Sequence, residues 1–501
     1  MRKAQLSRIN WPAFDSILLA LIQIVTYVAN IATTKILSVK LSLTEYGTYS
    51  TVNSVITIAA SFTLFGLGDS INYYYNKKNE ESSENKIEYI NTIFFVQLLI
   101  GVFVGMVLIF ASASIANYYN NSLVKPLILI VCLKPWISNA THLYQVLFVS
   151  SNKAKLIAIR NLIVSILKVI LLYLSVQLFD GLIATFVCLV LLDLMQLIAF
   201  KYIFGKTNFK VEVFSFGKEK LLPVIKYTVP MGVYFVTTTL MREIDKLVIG
   251  GLGTTEEYAI YANCAKTLPL NILITAFATV LIPYIMKSVS GKEYDRVVDI
   301  LRKYLSIGYL SVWMFSGALL LCSSEAIQFF YTEEYVVGLP IFVVYIIDGM
   351  IQFASVHLVI AANGDSKFLM KVSIFLLGIN ALLSFIFYKV FALFGNAMLG
   401  PAIATVLVSL FYVAALHLKA SKILGVKISD FLPIKSMGVY LVELLSVGVV
   451  FYFVKCGMYL MNLYWVVVLI ALCVAYCLTV GLINIKLYKK LFADINRLKC
   501  S

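Results

Sequence analysis

Long apolar segments recur along the whole chain and are separated by short polar connections. Each segment has about 20 residues, the length that an α-helix needs to cross the hydrocarbon core of a bilayer. The pattern predicts about fourteen transmembrane helices, here called segments 1 to 14, at approximately 14–38, 45–67, 89–113, 125–149, 156–178, 182–204, 224–251, 258–286, 304–323, 337–362, 368–390, 396–417, 436–455 and 463–484. We therefore expect an all-α integral membrane protein.

The connections between these segments are too short for a folded extramembrane domain. The two longest connections run over residues 69–88 and 205–222. An even number of spans places both termini on the same side of the membrane. Any binding or transport chemistry is therefore expected among the helices themselves.

Composition agrees with a chain that is solvated mainly by lipid. Apolar residues make up 61% and charged residues 13% of the sequence, whereas soluble domains are roughly 45–50% apolar and about 25% charged. The net charge of +15 is scattered between apolar runs. Because a nucleic-acid-binding surface needs a continuous basic stripe or helix, this distribution argues against a nucleic-acid partner.

The basic residues predict the orientation in the membrane, since Lys and Arg gather in short loops on the cytoplasmic side. With the N-terminus inside, the outer loops and outer helix ends hold only Lys40, Lys125, Lys389 and Lys455. The predicted outer loops at 250–258 and 323–335 contain glutamates and no basic residue. Both termini and the connection 205–222 are therefore predicted to be cytoplasmic.

The start of the chain predicts a retained helix. Arg2, Lys3 and Arg8 precede segment 1, and no small-residue cleavage pattern follows it. A cleaved signal peptide has a shorter apolar core than this segment.

The cysteines and histidines predict no metal site. Seven of the eight cysteines lie inside or at the ends of apolar segments, and none is spaced as a metal ligand with His142, His357 or His417. Core packing is the favoured interpretation, and a disulfide between Cys322 and Cys456 is the less favoured alternative. No cofactor is expected.

An internal repeat appears at an offset of 212 residues. Glu-Tyr-Gly-Thr-Tyr at 45–49 aligns with Glu-Tyr-Ala-Ile-Tyr at 257–261, and the same offset takes Phe65 to Phe277. The offset spans six segments, an even number, so the two halves share one orientation and are expected to be related by an axis along the membrane normal.

The repeat predicts the organisation of the chain. Residues 1–204 would form one six-helix lobe and residues 223–418 a second, joined by a cytoplasmic linker at 205–222. Residues 419–501 would add helices 13 and 14 and a cytoplasmic tail.

Several motifs resemble a known transporter family, the polysaccharide-exporter branch of the multidrug/oligosaccharidyl-lipid/polysaccharide flippase superfamily. The resemblance covers segments 1 to 12. It is carried by Glu-Tyr-Gly-Thr-Tyr at 45–49, Leu-Phe-Gly-Leu-Gly at 64–68, Arg-Glu-Ile-Asp-Lys-Leu-Val-Ile-Gly at 242–250, Tyr-Ala-Ile-Tyr at 258–261 and Ala-Ala-Asn-Gly-Asp-Ser-Lys at 361–367.

The resemblance implies translocation of an undecaprenyl-pyrophosphate-linked oligosaccharide to the outer leaflet of a bacterial cytoplasmic membrane, for cell-surface polysaccharide synthesis. Its expected partners are this lipid-linked glycan, membrane lipid, and a polysaccharide polymerase with its chain-length regulator. A lipid II flippase and a cation-coupled multidrug exporter of the same superfamily are the alternatives. Fourteen spans fit flippases better, since the drug exporters usually have twelve.

Cations within the predicted spans are the candidate ligands for the pyrophosphate. A charge near mid-bilayer costs roughly 2.5–3.5 kcal/mol on insertion scales, so it tends to face a cavity or a partner. Lysine and arginine could bind phosphate oxygens through charge-assisted hydrogen bonds. The candidates are Arg242 and Lys246 on segment 7, Lys266 on segment 8, Lys134 on segment 4 and Lys168 on segment 5.

Two alternatives compete with this interpretation. Asp245 shares a helix face with Arg242 and Lys246 and could simply neutralise one of them. Lys134 could extend to the membrane interface, which is also the favoured account of Arg160 near its helix end.

The deep acids Asp245, Asp348 and Asp193 are candidates for coupling transport to an ion. A local hydrogen-bonded pair explains each of them equally well. Gly291-Lys292 lacks the upstream glycine of a P-loop, so an ion gradient is a better candidate than nucleotide as the energy source.

A membrane-embedded glycosyltransferase or polymerase is the rival from another functional class. Such an enzyme normally needs a sizeable outer loop or soluble domain for its catalytic residues. The short connections argue against it, and we expect a transporter rather than an enzyme.

Overall fold

The protein is built from α-helices. The computed structural model describes residues 11–76, 83–151, 153–179, 181–266, 285, 288–289, 291–353 and 356–489, and it contains no β-strand among them. The chain divides into two compact units, Met1–Thr239 and Leu240–Ser501.

The first unit contains eight helices and most of a ninth. They are α1 (Trp11–Lys40), α2 (Leu43–Leu64), α3 (Leu67–Asn76), α4 (Ser83–Tyr118), α5 (Val124–Val131), α6 (Lys134–Ser150), α7 (Ala154–Leu178), α8 (Leu182–Thr207) and α9 (Lys218–Leu252).

The second unit continues from the end of α9. Its described helices are α10 (Thr255–Cys264), α11 (Tyr294–Leu321), α12 (Ser323–Phe330), a 3-10 turn (Glu333–Gly338), α13 (Leu339–Gln352), α14 (His357–Ala362), α15 (Ser366–Ala392), α16 (Leu399–Leu424), α17 (Ile428–Phe431), α18 (Ile434–Leu460) and α19 (Trp465–Ile483).

The all-α membrane fold is confirmed. Ten described helical stretches are long and apolar enough to cross a bilayer, and they correspond to segments 2, 3, 5, 6 and 9 to 14. Segments 1, 4 and 7 coincide with α1, with α5 and α6, and with α9. Most of segment 8, including Phe277, lies outside the described residues, so the total of fourteen spans stays a prediction.

Segments 2 and 4 are interrupted helices, which the apolar pattern did not predict. The break between α2 and α3 falls at Phe65 and Gly66, whose φ angles are 36° and 74°. A Cβ atom on Gly66 would lie 2.9 Å from the backbone nitrogen of Gly232, so the chain passes too close there for a side chain. In segment 4, Pro135 lies in the first turn of α6, where its missing N–H is tolerated.

Matching helix starts support the 212-residue repeat. Ser42 and Glu45 form a capping box at the start of α2, in which each side chain bonds the other residue's backbone N–H. Thr254 and Glu257, exactly 212 positions later, form the same capping box at the start of α10. The repeated residues therefore form the same N-terminal helix cap in both units. The predicted lobe boundaries stay a prediction.

The repeat also relates two side-chain contacts, because positions 153 and 207 of the first unit correspond to positions 365 and 419 of the second. Lys153 Nζ donates to the Thr207 carbonyl oxygen at 3.2 Å. At the same offset, Lys419 Nζ lies 2.8 Å from the carboxylate of Asp365. The Lys419 ammonium holds the pKa of Asp365 below its usual range.

The predicted linker at 205–222 is folded against α4. The Asn91 side chain donates to the Ser215 carbonyl oxygen at 3.1 Å and accepts from the Glu212 N–H at 3.0 Å. The rings of Phe95 and Phe216 stack with their centroids 3.8 Å apart. These contacts fix the path of the connection along the first turns of α4.

The two C-terminal helices α18 and α19 pack on α11. At the end of α18, Lys455 Nζ lies 2.8 Å from the Glu325 carboxylate on α12, and the Tyr459 hydroxyl donates to Glu325 at 2.6 Å. Burial opposes ionisation of Glu325, but these hydrogen bonds outweigh it and lower its pKa. The appended helices are thus tied to the second unit by a charged contact.

Candidate functional site

A polar cavity of about 300 Å³ lies within the first unit, between helices α1, α2, α6, α7 and α8. Its lining combines three cations, one carboxylate, several amides and hydroxyls, and a few apolar side chains. The lining residues are Thr26, Asn30, Tyr49, Asn53, Lys134, Arg160, Asn161, Val164, Ser165, Lys168, Leu189, Leu192, Asp193 and Gln196.

Asp193 on α8 is bound by donors from two helices. It forms an ion pair with Lys134, the first residue of α6. Ser138, one turn along α6, donates to the same carboxylate at 3.2 Å, and Gln196 on α8 donates to it at 3.4 Å. The α6 N-terminus carries the positive end of the helix dipole, which adds to the positive charge beside Lys134.

Arg160 on α7 is a cavity residue that the sequence interpretation missed. Its guanidinium donates to the side-chain oxygens of Asn161, at 2.8 Å, and of Gln196, and it lies over the Phe200 ring at 5.3 Å. Arg160 Nε is buried and has no hydrogen-bond partner among the described residues. The sequence interpretation placed Arg160 at the membrane interface because it lies near a helix end. Its place in the cavity was missed because position along the sequence does not indicate how deep a cavity reaches.

Lys168 lies two turns beyond Arg160 on α7, so both can face the same cavity. Lys168 interacts electrostatically with both Lys134 and Asp193. The lining therefore contains three cations against one carboxylate, an excess of two positive charges in a half-buried space. Such a space can bind a multiply charged anion whose oxygens accept several hydrogen bonds.

The predicted site residues of the second unit make different contacts. Asp245 is buried and accepts from the Tyr261 hydroxyl at 2.8 Å, from the Tyr345 hydroxyl, and from the Lys246 backbone N–H at 2.8 Å. Lys246 Nζ pairs instead with Glu243 at 2.8 Å. The carboxylate of Asp245 is thus held by hydroxyls, whereas Glu243, three residues before Lys246, is the acid that neutralises that lysine.

The remaining predicted cations of the second unit are Arg242 and Lys266. Arg242 is exposed on α9. Lys266 Nζ donates to the Asn263 side-chain oxygen at 2.9 Å, just beyond the end of α10. Of the five predicted substrate ligands, the structure thus brings Lys134 and Lys168 into one cavity and leaves Arg242, Lys246 and Lys266 in the other unit.

Asp348 on α13 is a buried acid that is only partly satisfied. Gln352 donates to one of its carboxylate oxygens at 2.6 Å and also to Ser409 on α16 at 3.0 Å. The other oxygen, Oδ1, is buried without a hydrogen-bond partner among the described residues. Buried carboxylate oxygens are rarely left unpaired, so this atom is a candidate for a bound proton or cation.

The repeat places different chemistry at equivalent positions. Tyr49 in the polar cavity corresponds to Tyr261, which binds Asp245, and Asp193 corresponds to Thr405. The first unit thus has a cationic cavity where the second has hydroxyls and carboxylates. Within the described residues, no group of three or more His, Cys, Asp or Glu side chains is arranged to hold a metal ion.

A family model described as "Polysaccharide biosynthesis protein" matches residues 14–289. No curated protein sequence matches the chain significantly.

Solved structures share its fold at low sequence identity. The lipid II flippase MurJ, in an inward closed conformation, matches with a TM-score of 0.70 and 14% identity over 94% of this chain and 100% of MurJ. An inward-facing multidrug resistance MATE family transporter of the MOP superfamily matches with a TM-score of 0.62 and 11% identity, over 79% of this chain and 95% of that protein. The Vibrio cholerae MATE transporter VcmN, as a mutant, matches with a TM-score of 0.56 and 14% identity, over 81% and 95%.

Proposed function

This chain belongs to the polysaccharide biosynthesis protein family, and on that premise we propose that it translocates a pyrophosphate-linked lipid oligosaccharide from the cytoplasmic to the outer leaflet. The motif-based assignment to the polysaccharide-exporter branch is confirmed by the family match and by the shared fold. The observation that carries the substrate proposal is the cavity of the first unit, with its excess of two positive charges.

The cavity chemistry suits a pyrophosphate diester, which has two negative charges at neutral pH. Arg160 would offer N–H donors in a planar fork, and Lys134 and Lys168 would act as point charges. Their role is to replace water around the pyrophosphate, because two unsolvated charges in hydrocarbon would cost many kcal/mol.

The size of the cavity limits what it would hold. Its volume of about 300 Å³ is at the lower end of the roughly 300–1,000 Å³ typical of small-molecule sites. We infer that it takes the pyrophosphate and the first sugar, with Asn30, Asn53 and Tyr49 facing the sugar hydroxyls. The rest of the glycan and the lipid tail would lie outside it.

Arg242, Lys246 and Lys266 remain proposed substrate ligands in the second unit. Arg242 is the strongest of the three, because it is exposed, whereas Lys246 is already paired with Glu243. Transport would follow from alternating access of two six-helix lobes.

We also propose that the carboxylates couple transport to an ion gradient. Asp245 is the first candidate and Asp348 the second, since both are buried in the second unit and Asp348 Oδ1 has no partner among the described residues. An ion can drive the cycle only if it binds one conformational state better than the other. Asp193 is the third candidate, although it is engaged with Lys134.

A lipid II flippase is the second candidate function. It is favoured by the match to the whole length of MurJ at a TM-score of 0.70. A multidrug exporter is less well supported, because apolar drugs favour an apolar cavity and the lining here is charged.

Reconstituted transport tests the proposal. Purified protein in proteoliposomes should move a fluorescent undecaprenyl-pyrophosphate oligosaccharide between leaflets, because the cationic cavity solvates its head group during the crossing. The readout is loss of fluorescence to an impermeant quencher. A zwitterionic fluorescent phospholipid in the same vesicles is the control and should move only at the rate of protein-free liposomes.

Two outcomes of this assay would change the assignment. Movement of lipid II in preference to undecaprenyl-pyrophosphate oligosaccharides would favour the second candidate function. No movement of either substrate would contradict the flippase proposal.

We propose that the protein lies in a bacterial cytoplasmic membrane with both termini cytoplasmic, beside a polysaccharide polymerase and its chain-length regulator. The exposed positions Lys210 and Glu334 test the orientation. In a cysteine-free background, Glu334→Cys should react with an impermeant maleimide applied to intact cells, whereas Lys210→Cys should react only after permeabilisation. Labelling of Lys210→Cys from outside intact cells would reverse the topology.

A further inference from the structure

The carboxylate of Asp193 occupies the donors that a phosphate group would need. Lys134 pairs with it, and Ser138 and Gln196 donate to it at 3.2 and 3.4 Å. Gln196 in turn accepts from Arg160. One protein anion therefore lies inside the cavity and shares its donors with the proposed substrate.

Asp193 does not neutralise the cavity. Lys168 and Arg160 leave two positive charges in excess. The Asp193 side chain is 22% exposed, so it is accessible to a ligand that enters and competes for Lys134. A purely structural ion pair would be expected to lie outside the ligand space, whereas both Lys134 and Asp193 line it.

A cationic cavity poses a problem for a transporter, because a tightly bound product leaves slowly. Differences in affinity are expressed mainly in the dissociation rate, and product release limits many turnover numbers. An anion that belongs to the protein can displace the bound anion by taking back its donors. It lowers affinity on entry and accelerates release on the other side.

We propose that Asp193 is such a tethered counter-anion: it competes with the substrate pyrophosphate for Lys134 and returns to that lysine as the substrate leaves. This inference rests on the proposed function. It assigns Asp193 to setting affinity and release, which is a different role from binding the coupling ion. Asp193 is thus a positioning residue for Lys134 and does not itself bind substrate.

The test measures binding and turnover separately. The full-length protein in nanodiscs of zwitterionic lipid is titrated with a short-chain prenyl diphosphoryl hexose, and with the neutral prenyl hexose that lacks the phosphates. In Asp193→Asn the Kd for the diphosphoryl compound should fall about tenfold, since a charge-assisted competitor has been removed. The Kd for the neutral compound should not change.

Turnover should decrease although the affinity increases. At saturating substrate, Asp193→Asn should translocate several-fold more slowly than the wild type, because release is impaired. Asp193→Glu keeps the charge and should restore wild-type affinity and turnover. Asp365→Asn is the matched control, because it also removes an acid that pairs with a lysine, Lys419. Asp365 belongs to the second unit and is not one of the residues that line the cavity.

A second comparison protects the test against misfolding. If Asp193→Asn alone lowers the melting temperature, the Lys134→Gln variant and the Lys134→Gln, Asp193→Asn double variant are compared, because the double variant leaves no unpaired lysine. In the Lys134→Gln background, loss of the carboxylate should tighten diphosphoryl binding much less than it does when Lys134 is present, because the lysine for which Asp193 competes is absent.

Three results would overturn the inference. One is unchanged or weaker diphosphoryl binding in well-folded Asp193→Asn. The second is a gain from Asp193→Asn in the Lys134→Gln background as large as the gain of about tenfold expected with Lys134 present, because Asp193 would then not act through Lys134. The third is a wild type that does not prefer the diphosphoryl compound to the neutral one, and this result alone would also remove the proposed function.

Discussion

Arg160→Ala and Lys168→Ala should each reduce translocation of the pyrophosphate-linked glycan at least about tenfold, and the double variant should abolish it. A hydrogen bond to a charged group contributes roughly 1.5–3 kcal/mol, which corresponds to about 10- to 100-fold in binding. Each variant also removes one of the three cavity cations. Initial rates in proteoliposomes, at equal amounts of reconstituted protein, measure the effect.

Matched variants separate the cavity from general charge effects. Lys422→Ala removes an exposed lysine in the last turn of α16 and should retain wild-type transport. Arg160→Lys keeps the charge but loses the planar fork, so it should fall between the wild type and Arg160→Ala. If both single variants, Arg160→Ala and Lys168→Ala, transport at the wild-type rate, this cavity does not bind the substrate during transport.

The second unit has its own test of substrate binding. Arg242→Ala and Lys266→Ala should also reduce translocation if both units bind the anion during the cycle. Normal transport in both of these variants, with loss in the Arg160 and Lys168 variants, would restrict the substrate site to the first unit.

Asp245→Asn and Asp348→Asn should abolish the acceleration of transport by an imposed ion gradient. Asparagine keeps the shape of each side chain but cannot exchange a proton or bind a cation with a full negative charge. Without that exchange, the gradient no longer favours one state of the transporter, and the protein should only equilibrate its substrate. The measurement compares flipping rates with and without proton or sodium gradients.

Glu443→Gln provides the matched control for this prediction. Glu443 is also an acid within an apolar helix, α18, where it accepts a hydrogen bond from Asn484 at 2.6 Å. Its replacement should leave the gradient response intact. If the double variant Asp245→Asn, Asp348→Asn still responds to the gradient, other residues couple transport to the ion. If the transport rate of the wild type is the same with and without both gradients, the protein is a facilitator.

The candidate site was only partly predictable from sequence. Lys134, Lys168 and Asp193 were recognisable because a charge inside an apolar run is costly and must be compensated. Their meeting in one cavity was not, because they lie on three helices and their contact depends on packing. The cavity position of Arg160 was not predicted, for the same reason. Glu243 was not considered as a partner of Lys246, because Asp245 was the acid considered for neutralising either Arg242 or Lys246.

The sequence by itself determined the membrane class, most of the helix positions and the 212-residue repeat. These features are encoded locally: apolar run length matches the bilayer thickness, and the Ser-x-x-Glu and Thr-x-x-Glu capping boxes fix where α2 and α10 begin. Only the tertiary structure decided which charges are paired. The ion pair of Lys134 with Asp193, the hydroxyl contacts of Asp245 and the cavity itself arise between side chains distant in sequence, whose separation is set by helix packing and not by local propensity.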